Sequence, residues 1–93
     1  MYAITKARQL ADKIFLMDVK APRVAKRCLP GQFVIVKMDE HGERIPLTIC
    51  DYNREEGTIT IVFQIVGAST EKMSHLKEGD AFRDFTGPLG MPS

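Results

Sequence analysis

At 93 residues, the chain has room for one modest core and not for two ordinary domains. Hydrophobic residues make up 44% and charged residues 27%, with a formal net charge of +1; this balance argues against disorder and against a strongly cationic surface built for nucleic acid. The apolar runs fall far below the roughly 18 residues that cross a bilayer, and the N-terminus has no signal core, so the expectation is a cytoplasmic protein with neither membrane nor nucleic acid among its partners. Cys28 and Cys50 stand apart with no CxxC pairing and no matching histidine spacing, which points to buried or half-buried free thiols and not to zinc or a disulfide scaffold.

In chain order, Tyr2 to Leu10 and Lys13 to Lys20 read as two strands joined through Ala11-Asp12. The basic cluster Lys20, Arg23, Lys26 and Arg27 that follows reads as a solvated surface face. Pro30-Gly31 supplies a turn into a dense apolar strand, Gln32 to Met38, and Asp39-Glu40-His41-Gly42 is the next polar turn. Ile45 to Tyr52 is a further strand; Pro46 lacks a ladder donor and so belongs at its start, at an edge or beside a ligand. After the turn Asn53 to Gly57, the strand Gly57 to Val66 alternates cleanly, with Ile59, Ile61, Phe63 and Ile65 on one face.

One helix is predicted, roughly Thr70 to Lys77, with Met73 and Leu76 on its inner face, Ser69 or Thr70 as N-cap and Gly79 as its stop. Asp80 to Phe85 reads as the last strand, and Met91-Pro92-Ser93 as a severed linker. The sum is an all-β protein: a six-stranded antiparallel barrel with one short helix before the last strand. There are no internal repeats.

No catalytic constellation is visible. His41 and His75 read as surface histidines, and the carboxylates are scattered without a metal-binding pattern. Chemistry performed here would therefore come from a bound cofactor. The residues answer the three problems that a flavin dinucleotide poses. Arg44 is a forked, permanently charged donor for a pyrophosphate. Pro46 and Leu47 offer an apolar surface for a flat ring, and Thr48 a hydroxyl on a rigid strand for its polar edge. Gly67 lets backbone approach closely, and the N–H groups of Ser69, Thr70 and Glu71 form an anion seat at the helix start. Glu71 itself competes with an anion there.

These segments occur in a definite order. The run Pro30-Gly31-Gln32-Phe33, then Arg44-Ile45-Pro46-Leu47-Thr48-Ile49, then Gln64-Ile65-Val66-Gly67-Ala68-Ser69-Thr70, then Gly79-Asp80 and Gly87-Pro88-Leu89-Gly90, resembles the FAD-binding domain of the ferredoxin:NADP reductase superfamily. The likeness is strongest to the branch containing dihydroorotate dehydrogenase electron-transfer subunits and the flavin subunits of NADH-dependent ferredoxin:NADP oxidoreductase and sulfide dehydrogenase. It covers essentially the whole chain. The resemblance implies a six-stranded antiparallel Greek-key barrel with FAD across one side. It places Arg44 on the pyrophosphate, Leu47 on the ring, Thr48 near flavin N5, and Gly67, Ser69 and Thr70 at the helix-opening anion site, with Pro46, Gln64 and Val66 completing the cofactor-binding set. Leu47 stands where the family carries an aromatic, which implies an aliphatic contact to the ring, and Arg44 precedes the hydroxyl by four positions instead of three.

The family's NAD(P)H-binding domain and the cysteine cluster that holds a [2Fe-2S] centre in this branch are not within these 93 residues. Both are expected after position 93, so the barrel is expected to be inactive alone. In the larger protein it would relay electrons between NAD(P)H and an iron-sulfur or dehydrogenase partner subunit. The competing expectation is a non-enzymatic barrel module for a protein or RNA partner. It would need an exposed aromatic or basic face, and most of the Phe and Tyr residues sit at core-patterned positions.

Overall fold

The computed structural model describes residues 1–91. The predicted linker Met91-Pro92-Ser93 therefore lies partly outside the described residues. Seven strands and two helices follow in the order β1 (Tyr2–Ala11), β2 (Ile14–Lys20), α1 (Pro22–Arg27), β3 (Phe33–Lys37), β4 (Ile45–Asn53), β5 (Thr58–Gln64), α2 (Ala68–Ser74), β6 (Ala81–Phe82) and β7 (Asp84–Leu89). All pairings are antiparallel, in the order β6-β1-β2-β5-β4-β3-β7. Strands β3, β4 and β5 form a meander, and β2 lies beside β5 after a long connection, which is Greek-key topology. The two edge strands, β6 and β7, are separated only by Arg83. The chain thus bends from one edge of the sheet to the other and nearly closes the barrel.

That bend explains the count of seven strands where six were expected. The predicted single strand Asp80 to Phe85 serves two partners: Ala81 and Phe82 pair with β1, while Asp84 onward pairs with β3. Arg83 is the corner, its N–H donating to the Lys37 carbonyl at 2.9 Å. The strand β7 then continues through Gly87-Pro88-Leu89, so this motif belongs to the barrel wall. A Cβ at Gly87 would meet Val34 Cγ1 at 2.9 Å and the Phe33 carbonyl oxygen at 3.1 Å. Glycine allows β7 to lie this close to β3.

The core is the inward face of each strand. Val19, Val34, Val36, Ile59 and Ile61 are fully enclosed, joined by Ile4, Met17, Phe82 and Phe85. Each such side chain contributes about 1.5–3 kcal/mol by leaving water, which is why the period-two pattern of β5 was readable in advance.

Helix α1 was not foreseen. Six residues cannot form a helix alone in water. It exists because Ala21, Val24, Ala25 and Cys28 insert into the barrel end and become buried, with Pro22 pre-setting the first turn. Gly57 lets it approach: at φ +72°, a Cβ there would lie 3.1 Å from the Pro22 ring. The Ala21 N–H donates to the Gly57 carbonyl at 2.9 Å. Helix α2 begins two residues before the predicted start and ends three residues earlier, with Met73 fully buried as its anchor.

Candidate functional site

Strand β4 builds the first wall. Ile45, Leu47 and Ile49 are buried, while Pro46, Thr48 and Cys50 alternate with them on the outer face. Registration with β3 sets Thr48 opposite Phe33 and Pro46 opposite Ile35, both half-buried. Arg44 stands exposed just before this strand. The outer face is therefore an apolar strip with a hydroxyl at its middle and a guanidinium at one end.

Leu47 does not share that face. At 8% exposure its side chain belongs to the core, so the apolar surface of the outer face comes from Pro46 and the neighbouring Ile35. The signal was in the sequence: period two puts Pro46 and Thr48 on one side and necessarily Leu47 on the other.

The second wall is the turn from β5 into α2. Val66 is 78% exposed. Behind it the Thr70 hydroxyl, itself buried, accepts from the Val66 N–H at 2.9 Å and the Gly67 N–H at 3.2 Å, and donates to the Gly67 carbonyl at 3.1 Å. Gly67, not Ser69 or Thr70, is the N-cap. Thr70 Oγ1 is thus committed to holding the turn, and the Glu71 N–H is taken by the Gly67 carbonyl at 3.0 Å. The N–H groups of Ala68, Ser69 and Thr70 are the ones left without a partner among the described residues. The free set begins at Ala68, one residue earlier than expected.

The two walls meet in an open cleft of about 470 Å³ lined by Glu43, Arg44, Ile45, Pro46, Val66, Gly67, Ala68, Ser69 and Thr70. Of the residues picked from the sequence, it gathers Arg44, Pro46, Val66, Gly67, Ser69 and Thr70. Thr48 lies two positions farther along the same outer face. Gln64 is exposed at the end of β5, paired with Ile14 and outside the lining. Glu43, Ile45 and Ala68 were not among the predicted site residues, and the approach of β4 to the turn before α2 brings them into the lining. A larger cleft of about 520 Å³ lies elsewhere, beside α1, and holds none of these residues.

Electrostatically the cleft has one free cation. Among the described residues the only ion pair is Lys72 with Asp39 at 3.2 Å, and Arg44 has no partner. That exposed pair ties α2 to the turn before Arg44, and the Lys72 hydrogen bond holds the Asp39 carboxyl below its ordinary range. No group of three or more His, Cys, Asp or Glu side chains gathers as a metal site among the described residues. A guanidinium, three free N–H groups and an apolar strip form a cradle for an elongated anion with a flat apolar part.

Comparison with known proteins is specific. Over all 93 residues the chain is 58% identical to an uncharacterized protein in the adh 3′ region of Clostridium beijerinckii, covering 31% of that protein. Over 90 residues it is 44% identical to a dihydroorotate dehydrogenase B (NAD(+)) electron transfer subunit homolog of Thermotoga maritima, covering 97% of this chain and 32% of that protein. The solved structure of an NADH-dependent reduced ferredoxin-NADP oxidoreductase, studied for flavin-based electron bifurcation, superposes with a TM-score of 0.97 at 43% identity, covering 100% of this chain and 34% of its own. The chain belongs to the ferredoxin reductase-like barrel domains. As such a domain it spans about a third of the length of the relatives it matches. No protein-family model matches the chain. In this ferredoxin reductase-like domain no described helix is long and apolar enough to cross a membrane.

Proposed function

We propose that this domain is the FAD-binding barrel of a flavoprotein oxidoreductase subunit that relays electrons between NAD(P)H and an iron-sulfur partner. One observation carries the reading: Arg44 and Pro46 meet Val66, Gly67, Ser69 and Thr70 in a single cleft from segments about twenty residues apart. The electron-transfer roles that its relatives are named for support it. In this reading Arg44 and the N–H groups of Ala68, Ser69 and Thr70 neutralise the pyrophosphate. Pro46, Ile35 and Val66 present apolar surface to the ring, and Thr48 offers its hydroxyl to the ring's polar edge; Leu47 supports them from the core side. A bound flavin would supply the chemistry, the conversion between hydride and one-electron transfer, while these residues hold it.

Because the chain spans about a third of its relatives, we place the NAD(P)H-binding domain and the [2Fe-2S] centre in the sequence beyond it, with a partner subunit completing the relay in the cytoplasm. The test is the visible spectrum of the complete gene product after mixing with FAD and desalting. Flavin absorbance that stays with the protein is the expected result; its loss overturns the reading.

A further inference from the structure

The larger cleft shares no lining residue with the first. Its walls are mostly apolar: Tyr2 from β1, Ala21 and Val24 of the α1 region and Phe85 from β7, with the polar residue Thr86 among them, line an open cleft of about 520 Å³. Arg23 and Gly87 carry this space into an adjoining cleft of about 460 Å³ whose other lining residues are Lys26 and Arg27. An apolar slot therefore opens directly onto three cations.

These cations are uncommitted, unlike their neighbours. Lys20 donates to the Glu56 carbonyl, and Arg54 donates to the Cys28 carbonyl at 2.9 Å while lying over the Tyr52 ring. Arg23, Lys26 and Arg27 are exposed and find no carboxylate among the described residues. Helix electrostatics accounts for two of them, since Lys26 and Arg27 occupy the last turn of α1, where the macrodipole favours positive charge. It does not account for Arg23. That residue sits in the first turn, where the dipole disfavours a cation, and no acidic residue stands there to offset it. Arg23 is also the cation that lines both clefts.

We propose that this groove binds a nucleotide, with an aromatic base in the slot beside Tyr2 and Val24 and a di- or triphosphate over Arg23, Lys26 and Arg27. The slot is sized for a ring system and offers nothing to a bare ion. Three cations within a helix about 9 Å long match a compact, multiply charged anion. A groove of that length is also far smaller than a protein docking face, which covers about 800 Å² per partner. The net charge of +1 provides no extended track for RNA. This inference goes beyond the flavin reading and does not rest on it.

The test is calorimetric titration of the protein with ADP, with and without FAD, using adenosine and inorganic pyrophosphate as controls. ADP is expected to bind at least about tenfold more tightly than either control, and Arg23→Glu with Arg27→Glu to weaken it at least about tenfold, with Lys26→Glu acting in the same direction. Flavin retention should stay unchanged in these variants. Should the double reversal disturb folding, Arg23→Gln with Arg27→Gln reads the same contacts without inverting charge. Pyrophosphate binding as tightly as ADP would reduce the site to an adventitious ion only, and equal binding of adenosine would leave the cations without a role. Either result overturns the proposal, as would preferential binding of an acidic peptide or single-stranded RNA. An Arg44→Ala variant keeps its ADP affinity; if that affinity fell, the nucleotide would sit in the first cleft, and this proposal would fail while the flavin reading stood.

Discussion

The two faces of β4 lie in opposite environments. Ile45, Leu47 and Ile49 are buried, whereas Pro46, Thr48 and Cys50 lie exposed within the same few residues. The inner face is held by burial and tolerates little change. The outer face is held by its strand alone, which leaves its side chains free to meet a ligand. On the proposed flavin reading, stability and binding are thereby separated by a single step along the chain, since a strand reverses its side-chain direction at each residue.

Mutations on the two faces should behave accordingly. The largest effect belongs to Leu47→Ala, which should cost about 2–5 kcal/mol in chemical denaturation, while Thr48→Val stays within about 0.5 kcal/mol and changes the spectrum or potential of bound flavin. Comparable losses at the two positions would show that the alternation does not separate the roles.

Arg44→Ala should weaken FAD binding by about 1.5–3 kcal/mol, the range for charge-assisted hydrogen bonds, and leave the melting temperature unmoved. Unchanged affinity would transfer the phosphate role to the turn at Gly67 alone. Thr70→Val removes the acceptor for the Val66 and Gly67 N–H groups and should cost about 1–3 kcal/mol. In contrast to Leu47→Ala, most of its effect should appear as faster local exchange of those amides.

The thiols sharpen the comparison kinetically. Burial pushes the Cys28 thiol up, an effect only partly offset by the Arg54 charge, while Cys50 is exposed on the outer face. One thiol should therefore react with an aromatic disulfide reagent in the folded protein, the second only on unfolding, and FAD should slow the first. Reaction of both thiols at once would mean that the barrel end under α1 opens readily.

The smallest effect is expected at Asp39. Its lowered carboxyl pKa adds stability present above the ordinary carboxylate range and lost as pH falls through the lower folded value. The pair with Lys72 is exposed, so Asp39→Asn should melt like the parent at neutral pH. A measurable drop would show that this tie between the cleft walls matters to the fold.

Much of this was readable residue by residue. The alternation Ile59, Ile61, Phe63 marked β5 because each inward step is fully buried, and the turns around Gly42 and Gly57 placed β4 between its neighbours. Other features were not readable. Helix α1 is too short to announce itself and depends on Val24 and Ala25 finding the barrel end. Thr70 looked like a possible N-cap, yet Gly67 takes that place and the Thr70 hydroxyl, lying behind Val66 and Gly67, is spent on the turn. Arg23, Lys26 and Arg27 read as solvated charge and are exposed, but nothing local tells that Tyr2 and Phe85 arrive beside them.

By itself, then, the sequence determined the barrel class, most strand positions and the segments that supply the first cleft, because strand periodicity and turn chemistry are local. Only the tertiary structure decided that β6 and β7 divide between two partners, that α1 plugs the barrel end, and which residues line each cleft. These depend on contacts between segments far apart in the chain, and such contacts are settled by how the sheet closes.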